Sequence, residues 1–593
     1  MGQFFKFVFA SMLGMLVAIF VSIFIIIGIV AVSVSSLDEK KSVTVEDNTV
    51  LKISLNTPIA DRAPNDPLQN FDFGNLKANR MLGLNTILES IDKAKGDEKI
   101  MGIYLDLEGI SAGLSTIREI REALLSFKEE SDKFIVCYSE MISQKAYYLG
   151  SVADEVILNP EGYIQLTGLS AIIPFYKGTL DKLEIEAQII RHGKYKSAVE
   201  PFMYDKMSDE NREQTTKFVK SIWDNMVRDI TASRGISVKE FNRIIDTLDV
   251  GSAGHALEFG IVDKLMFQDE FMASLKERLG LEDDKDITFM SLVKYENAPK
   301  TKKKSTGIIR DRIAVIYAQG GIVTGEGDSD EIGSTTISKA IRKARKDENV
   351  KAIVLRVNSG GGSALASDVI LREMDLARQV KPVVACMGDV AASGGYYISC
   401  FADTIVANST TITGSIGVLG ILLNMKDFYK NKLGVTFDVV RTNEHSDFGV
   451  PVRALTEMEK QKIQDEIERI YDVFIDHVAE GRGLTKKYID SIGQGRVWSG
   501  EDALELGLVD VLGGLEDAIE IAAEMAGLEE YRLKELPEQK DPLEQLVKEL
   551  TGEVSRSILK YELGDSYTYY EQLKRMSRMQ GIQMIVPYSL ELR

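Results

Sequence analysis

Residues 383–397 read Val383-Val-Ala-Cys-Met-Gly-Asp-Val-Ala-Ala-Ser393-Gly-Gly-Tyr-Tyr, and residues 134–148 read Phe134-Ile-Val-Cys-Tyr-Ser-Glu-Met-Ile-Ser-Gln144-Lys-Ala-Tyr-Tyr. Each stretch is an apolar run of strand length, then a turn, then the start of a helical pattern. Aligned on the paired tyrosines, Ser393 falls opposite Gln144. The match extends outward at a steady offset of about 250 residues: Ala153-Asp-Glu-Val-Ile pairs with Ala402-Asp-Thr-Ile-Val, and Ala256-Leu-Glu-Phe-Gly-Ile-Val-Asp pairs with Ala503-Leu-Glu-Leu-Gly-Leu-Val-Asp. The chain therefore carries two homologous domains. Within each, near-continuous apolar, β-branched runs alternate with helical patterns, as in 353–357, 363–379 and 383–386. That alternation predicts an α/β fold with a largely parallel sheet in each half. Ser237-Val-Lys-Glu240 and Thr456-Glu-Met-Glu459 have the form of helix capping boxes, and Gly235 and Gly483 stand where helices should stop.

At 593 residues the chain is too long for one core, and its 44% apolar and 27% charged content is that of a globular protein. The exception is the amino end. Residues 7–34 contain no charge and would make a helix of about 42 Å at ~1.5 Å per residue, against a hydrocarbon core of about 30 Å. We expect an uncleaved membrane anchor there, in preference to a removed signal peptide. The resulting organisation is an anchor in 1–41, a first domain in 42–297, a linker in 298–311, a second domain in 312–530 and a charged, helical tail in 531–593. The net charge of −19 argues against a nucleic-acid partner. Cys137, Cys386 and Cys400 have no CxxC or metal-ligand spacing and read as small core residues.

Three glycine-rich turns in the second copy carry the chemistry. The strand ending in Val357 runs into Asn358-Ser359-Gly360-Gly361-Gly362-Ser363 just before a helix, where glycines let backbone N–H groups approach an anionic oxygen. The first copy has Glu108-Gly109-Ile110-Ser111-Ala112-Gly113 instead. Ser393-Gly394-Gly395 also follows a strand and precedes a helix, an arrangement suited to a nucleophile with a donor N–H on the next residue; tight packing of small residues is the competing account. The third turn, Thr411-Ile-Thr-Gly414-Ser415-Ile-Gly417, can bring Ser415 to the same pocket. None of the four histidines lies in these turns. A desolvated lysine is the other available base. Arg191-His-Gly-Lys194-Tyr-Lys196-Ser-Ala-Val-Glu200-Pro-Phe in the first copy supplies two candidates, and its counterpart Arg441-Thr-Asn-Glu-His-Ser446 has Ser446 opposite Lys196.

At these motifs the chain resembles the bacterial signal peptide peptidase (protease IV) family in its long, two-domain form. The resemblance implies tandem Clp-protease/crotonase-like domains and a Ser-Lys dyad built across the halves. On it, Ser393 is the nucleophile, Lys196 rather than Lys194 the general base, and Ser415 an orienter of the lysine, with Gly361, Gly362 and Gly394 as oxyanion donors. It further implies a homotetramer on the outer face of the cytoplasmic membrane, in contact with its lipid, that cleaves hydrophobic remnant signal peptides without metal or other cofactor. This chain has Gly360 where the family usually has proline, which leaves the choice of oxyanion donor less fixed. An acyl-CoA hydratase or hydrolase and an inert membrane scaffold are the competing functional readings.

Overall fold

The computed structural model describes residues 43–299 and 309–539, with short breaks at 65–70, 73–76, 79–80 and 283, together with 582–585 and parts of 6–21. Among the described residues no helix is long and apolar enough to cross a membrane. Most of the expected 7–34 anchor, and most of the linker, lie outside them.

Each half is built on its own sheet. In the first, six parallel strands run in the order Lys264–Leu265, Glu155–Ile164, Phe134–Ile142, Ile100–Leu105, Thr49–Ile53 and Phe289–Ser291. In the second, the order is Val497–Ser499, Ile412–Gly414, Val383–Ala392, Val350–Ser359, Arg312–Gln319 and Arg532–Leu536. Only its Val497–Ser499 edge is antiparallel. The central strands are apolar because helices cover both faces: Ala352, Ile353, Val354, Leu355 and Val357 are all fully buried. Helix ends follow the local chemistry. Ser237 and Thr456 cap their helices through their side-chain oxygens, and Gly235 and Gly483 close the preceding turns in left-handed conformation. The three cysteines are buried and their thiols are pushed up to about 12, first by desolvation.

The tail needs correction. Arg532–Leu536 is the edge strand of the second sheet, parallel to Arg312–Gln319, so the second domain runs past residue 530. Its sequence, Arg-Leu-Lys-Glu-Leu, is as charged as a solvated helix, because the strand lies at the sheet's edge and is largely exposed. A second tail segment, Ile582–Ile585, is also a strand. It belongs to a third sheet that joins the halves, ordered Glu331–Gly333, Gly321–Val323, Gly361–Ser363, Ile582–Ile585, Leu419–Asn424 and Glu186–Arg191. The last of these comes from the first half and pairs over its whole length with Leu419–Asn424.

Side chains lock the halves further. Thr116, in the first-half helix Leu114–Glu130, donates its N–H and hydroxyl to Asp389 of the second-half strand at 3.0 and 2.6 Å. Arg356 of the second half is fully buried. It donates to Asp61 at 2.8 Å and to Glu119 at 2.7 Å, both from the first half, and to the Cys386 sulfur at 3.1 Å. Desolvation opposes the guanidinium's charge, but the two carboxylates outweigh it and hold Arg356 protonated. Glu119 also accepts the Leu515 N–H at 2.7 Å. Truncating one member leaves buried charge unpaired, so Glu119→Ala should cost about 3–5 kcal/mol in urea unfolding; a loss below about 1 kcal/mol would show that the cluster does not hold the halves together.

Candidate active site

Ser393 terminates the Val383–Ala392 strand and starts the Gly394–Ser399 helix. Its backbone sits at φ 56°, ψ −112°, a region that costs a non-glycine residue about 1–3 kcal/mol. Two bonds hold it there: its N–H donates to the Gly414 carbonyl at 2.8 Å, and its own carbonyl accepts the Tyr397 N–H at 2.8 Å. Strand, turn and helix thus aim one hydroxyl into the interior, and Ser393 is fully buried.

Lys196 arrives from the other half. The Glu186–Arg191 strand leads into a turn at Gly193, whose φ of +94° packs it against the Gln494 carbonyl. Tyr195 donates its N–H to Gln494 O at 3.0 Å, and Arg191 donates to the Lys196 carbonyl at 2.9 Å. A Cβ on Gly495 would stand 2.6 Å from Lys196 Cβ, so only glycine leaves room for the lysine stem. Lys196 Nζ ends 2.8 Å from Ser393 Oγ, 3.0 Å from the Ser415 carbonyl and 3.1 Å from Ser415 Oγ. Burial drives its pKa well below the ordinary lysine value, and desolvation is the sole cause. Ser415 is itself held at φ +49° by donating its N–H to Arg496 O. The Ser415 carbonyl can only accept, so it fixes one amine hydrogen and leaves the lone pair of a neutral amine free to turn toward Ser393.

The glycines meet as a close backbone contact. A Cβ on Gly394 would lie 3.1 Å from Gly362 N and Gly361 Cα, and one on Gly361 would lie 2.7 Å from Gly394 N. Gly361 adopts φ +95°. Its N–H donates to Ser359 Oγ at 3.1 Å, which weakens it as an oxyanion donor. Gly394 opens a helix, where an N–H has no partner within the helix, and it is the donor the geometry favours.

The other candidates fall elsewhere. Lys194 is exposed, its ammonium 5.1 Å from the Tyr195 ring centroid. His192 stacks on Tyr471, His445 bonds Glu459, His477 bonds the Tyr397 hydroxyl, and His255 lies in the first turn of the Ala253–Glu258 helix. In the first copy Gln144 accepts N–H bonds from Thr167 and Gly168 at 3.0 and 2.9 Å, filling the nucleophile position with an inert amide. Ser446 is exposed and bonds Asn443.

Two further residues support the lysine loop, Gln214 without a sequence signal and Glu200 from within the lysine motif itself. Buried Gln214, in the helix Asp209–Arg234, donates to Tyr195 O at 3.0 Å and Ser197 Oγ at 2.8 Å and accepts the Val497 N–H at 3.2 Å, stitching the lysine loop to the second half. Glu200 is fully buried and accepts from Ser208 and Asn211 at 2.6–3.1 Å, fixing the loop's far end.

An α/β frame with a strained, buried serine beside a desolvated lysine defines a serine hydrolase. The profile of peptidase family S49 matches twice, over residues 127–282 and 375–529. Protease 4 of Salmonella typhi is 39% identical over 79% of this chain and 76% of its own length. The chloroplastic serine protease SPPA of Arabidopsis thaliana is 34% identical over 85% and 74%, and protease 4 of Haemophilus influenzae 33% over 85% and 83%. The chain belongs to peptidase family S49, with the family's domain present in both halves, and is a serine peptidase of the signal peptide peptidase type. This sets aside the acyl-CoA reading.

The lysine makes a stability prediction. The unfolded chain protonates Lys196 below about pH 10.4, whereas the folded protein resists protonation, so wild-type stability falls as pH drops through that window. Lys196→Met removes this cost. Its thermal midpoint should exceed the wild type's, by a margin that widens from about pH 10 down to pH 7; parallel midpoints would refute the desolvated amine.

Proposed function

We propose that this chain is an endopeptidase with a Ser393–Lys196 dyad that degrades hydrophobic peptides, remnant signal peptides among them, at a membrane surface. The observation that carries the reading is the 2.8 Å approach of a buried, desolvated lysine from one half to a strained serine from the other. The neutral Lys196 amine accepts the Ser393 proton as Oγ attacks the scissile carbonyl, and the oxyanion turns toward the Gly394 N–H, with Gly362 beside it. The ammonium then gives its proton to the departing amine nitrogen. Water, deprotonated by the same amine, attacks the ester carbonyl, the acyl–Oγ bond breaks, and the Lys196 ammonium returns its proton to Ser393 Oγ. Ser415 holds the lysine at each stage. No metal or other cofactor enters these steps. The 7–34 segment serves as a single-pass anchor in the bacterial cytoplasmic membrane, with both domains on its outer face. The halves are read as Clp-protease/crotonase-like domains.

The dyad predicts that Ser393→Ala and Lys196→Ala each lower kcat/KM for a hydrophobic reporter peptide on the order of 10⁴-fold or more. Wild-type kcat/KM should rise with pH to a plateau, with a midpoint below the ordinary lysine value. Wild-type turnover by either variant would sink the dyad, and failure of a serine-reactive phosphonate to label Ser393 would favour an inert scaffold.

The homotetramer reading gains a structural motive from the duplication. Glu186–Arg191 pairs with Leu419–Asn424, and the repeat maps these onto residues 436–441 and 169–174. No strand ladder joins that second pair within the chain. Each presents an exposed apolar side chain: Val440 is 98% and Ile172 72% exposed. Each would find its partner on another copy, closing a ring. Val440→Asp should therefore lower the mass measured by light scattering, and an unchanged mass would rule out this contact.

A further inference from the structure

Lys196 comes from the first half but stands on a turn of the second, residues 493–496. Three of the turn's residues touch the amine's surroundings. Gln494 O accepts the Tyr195 N–H at 3.0 Å, Gly495 leaves room for the Lys196 stem, and Arg496 O accepts the Ser415 N–H at 2.6 Å. One short turn therefore sets both the lysine's stem and the serine that orients its amine. Gln494 holds φ +53°, a left-handed backbone that a residue other than glycine adopts only when its surroundings fix it.

A buried phenol fixes it. Tyr471, in the helix Glu457–Arg482, accepts the Gln494 N–H on its hydroxyl oxygen at 3.2 Å and donates the hydroxyl proton to Asp490 Oδ1 at 2.7 Å. The Gln494 side-chain amide donates to the same Asp490 oxygen. Burial, and then the Asp490 carboxylate, push the phenol's pKa up, so Tyr471 keeps the proton it donates. The face of its ring carries His192 of the lysine loop, with the centroids 4.0 Å apart. Tyr471 thus meets the first half twice, by stacking on the loop and through Gln494 on Tyr195. The other charged group at the turn, the Arg496 guanidinium, points away to Glu213 at 2.8 Å and lies over the Tyr195 ring.

The duplication shows what the hydroxyl adds. Counted from the helix stops Gly235 and Gly483, Trp223 stands opposite Tyr471; counted from the caps Ser237 and Thr485, Asn242 stands opposite Asp490. That pair is bonded too, Trp223 Nε1 donating to Asn242 Oδ1 at 3.2 Å. An indole N–H only donates, whereas a phenol donates and accepts at once. The second copy's pair can therefore reach on to the following turn, and the first copy's pair has no acceptor with which to do so. Leu248, opposite Gly495 on the match of Ala256 to Ala503, is left 62% exposed where the second copy seats a lysine stem. We propose that Tyr471 and Asp490 are positioning residues for Lys196: the phenol clasps the 493–496 turn, and the turn seats the amine against Ser393 and Ser415 and keeps water from it. The kinetic part of this proposal rests on the reading of Lys196 as the base; the seating of the amine does not.

Tyr471→Phe in the full chain keeps the ring and its stack on His192 but loses both hydroxyl bonds. A displacement of about an ångström costs on the order of 10²-fold in rate, so kcat for a hydrophobic reporter peptide should fall about 10- to 100-fold at similar KM. The midpoint of kcat against pH should move to higher pH as water reaches the amine. Asp490→Ala should act in the same direction and serves as the second variant if circular dichroism shows Tyr471→Phe misfolded. Asp490→Asn, which keeps an oxygen for the phenol as Asn242 does for Trp223, should hold the wild-type kcat and midpoint. Tyr147→Phe is the control: it removes an equally buried hydroxyl, bonded to Ile261 O at 2.8 Å in the first half, and should move neither. A second arm requires no turnover. In a Ser393→Ala background, the pH dependence of Lys196 acetylation by acetic anhydride, read by mass spectrometry, titrates the amine itself, and Tyr471→Phe should shift that midpoint upward. An unshifted Lys196 midpoint overturns the proposal, whether kcat stays at the control's value or falls through general loosening of the fold. A shifted midpoint beside an unchanged kcat upholds the seating of the amine and removes Lys196 as the base.

Discussion

Registration of the two halves is the constraint on which the candidate site depends, because Ser393 and Lys196 come from different halves and meet at 2.8 Å. The buried Arg356, Asp61 and Glu119 cluster meets that need in a way apolar packing would not. An apolar interface tolerates a slide of an ångström at little cost. A guanidinium held between two carboxylates does not, since any slide leaves charge unpaired in a dry interior. Such clusters add little net stability over well-packed apolar residues, so what this one contributes is position. Arg356 lies on the Val350–Ser359 strand, three residues before Ser359, whose hydroxyl holds the Gly361 N–H. The cluster therefore registers the strand that builds the glycine turn. Asp389 does the same for the nucleophile's strand by capping a first-half helix, four residues before Ser393.

The buried lysine is a cost that the surroundings carry. Lys196 Nζ meets the Ser393 and Ser415 hydroxyls and the Ser415 carbonyl, and burial alone lowers its pKa. An acidic neighbour would have lowered the folding cost and spoiled the base by holding the proton. Glu200, four residues on, shows how that is avoided: it is fully buried but turned to Ser208 and Asn211, with Arg191 at 3.7 Å as its ion partner. The carboxylate needed to anchor the loop is thereby kept away from the amine.

Much of this was legible in sequence because duplication repeats the signal. Apolar, β-branched runs recur at a fixed offset, so parallel strands such as Val350–Ser359 declare themselves twice, and the difference between copies isolates Ser393 and Lys196. Residues whose role depends on a partner distant in sequence were not legible. Gln214 sits in a polar helix and looks solvated until the lysine loop folds over it. Arg532–Leu536 is charged and largely exposed at the edge of its sheet, a composition shared with exposed helices. Ile582–Ile585 is four residues long, too short for periodicity to speak, and its strand character comes from the two edges that receive it. Gly361 is a subtler case: its glycine requirement is evident from the turn, but the diversion of its N–H to Ser359 depends on a side chain two residues back that looks incidental.

The two copies also explain why the site is single. A strand crossing from one domain to the next carries the lysine loop at its end, and in the first half that strand, Glu186–Arg191, finds its partner within the chain. Among the described residues the equivalent stretch at 436–441 lies in no strand, and Ser446 follows it where the first copy has Lys196. The corresponding turn of the first half contains Gln144, whose side-chain oxygen accepts the Thr167 and Gly168 N–H groups. The first copy therefore has the lysine without the serine and the second the serine without the lysine, which leaves one Ser-Lys pairing between the halves. The surviving site lies within a chain, where covalent connection and the Arg356 cluster fix its geometry independently of assembly.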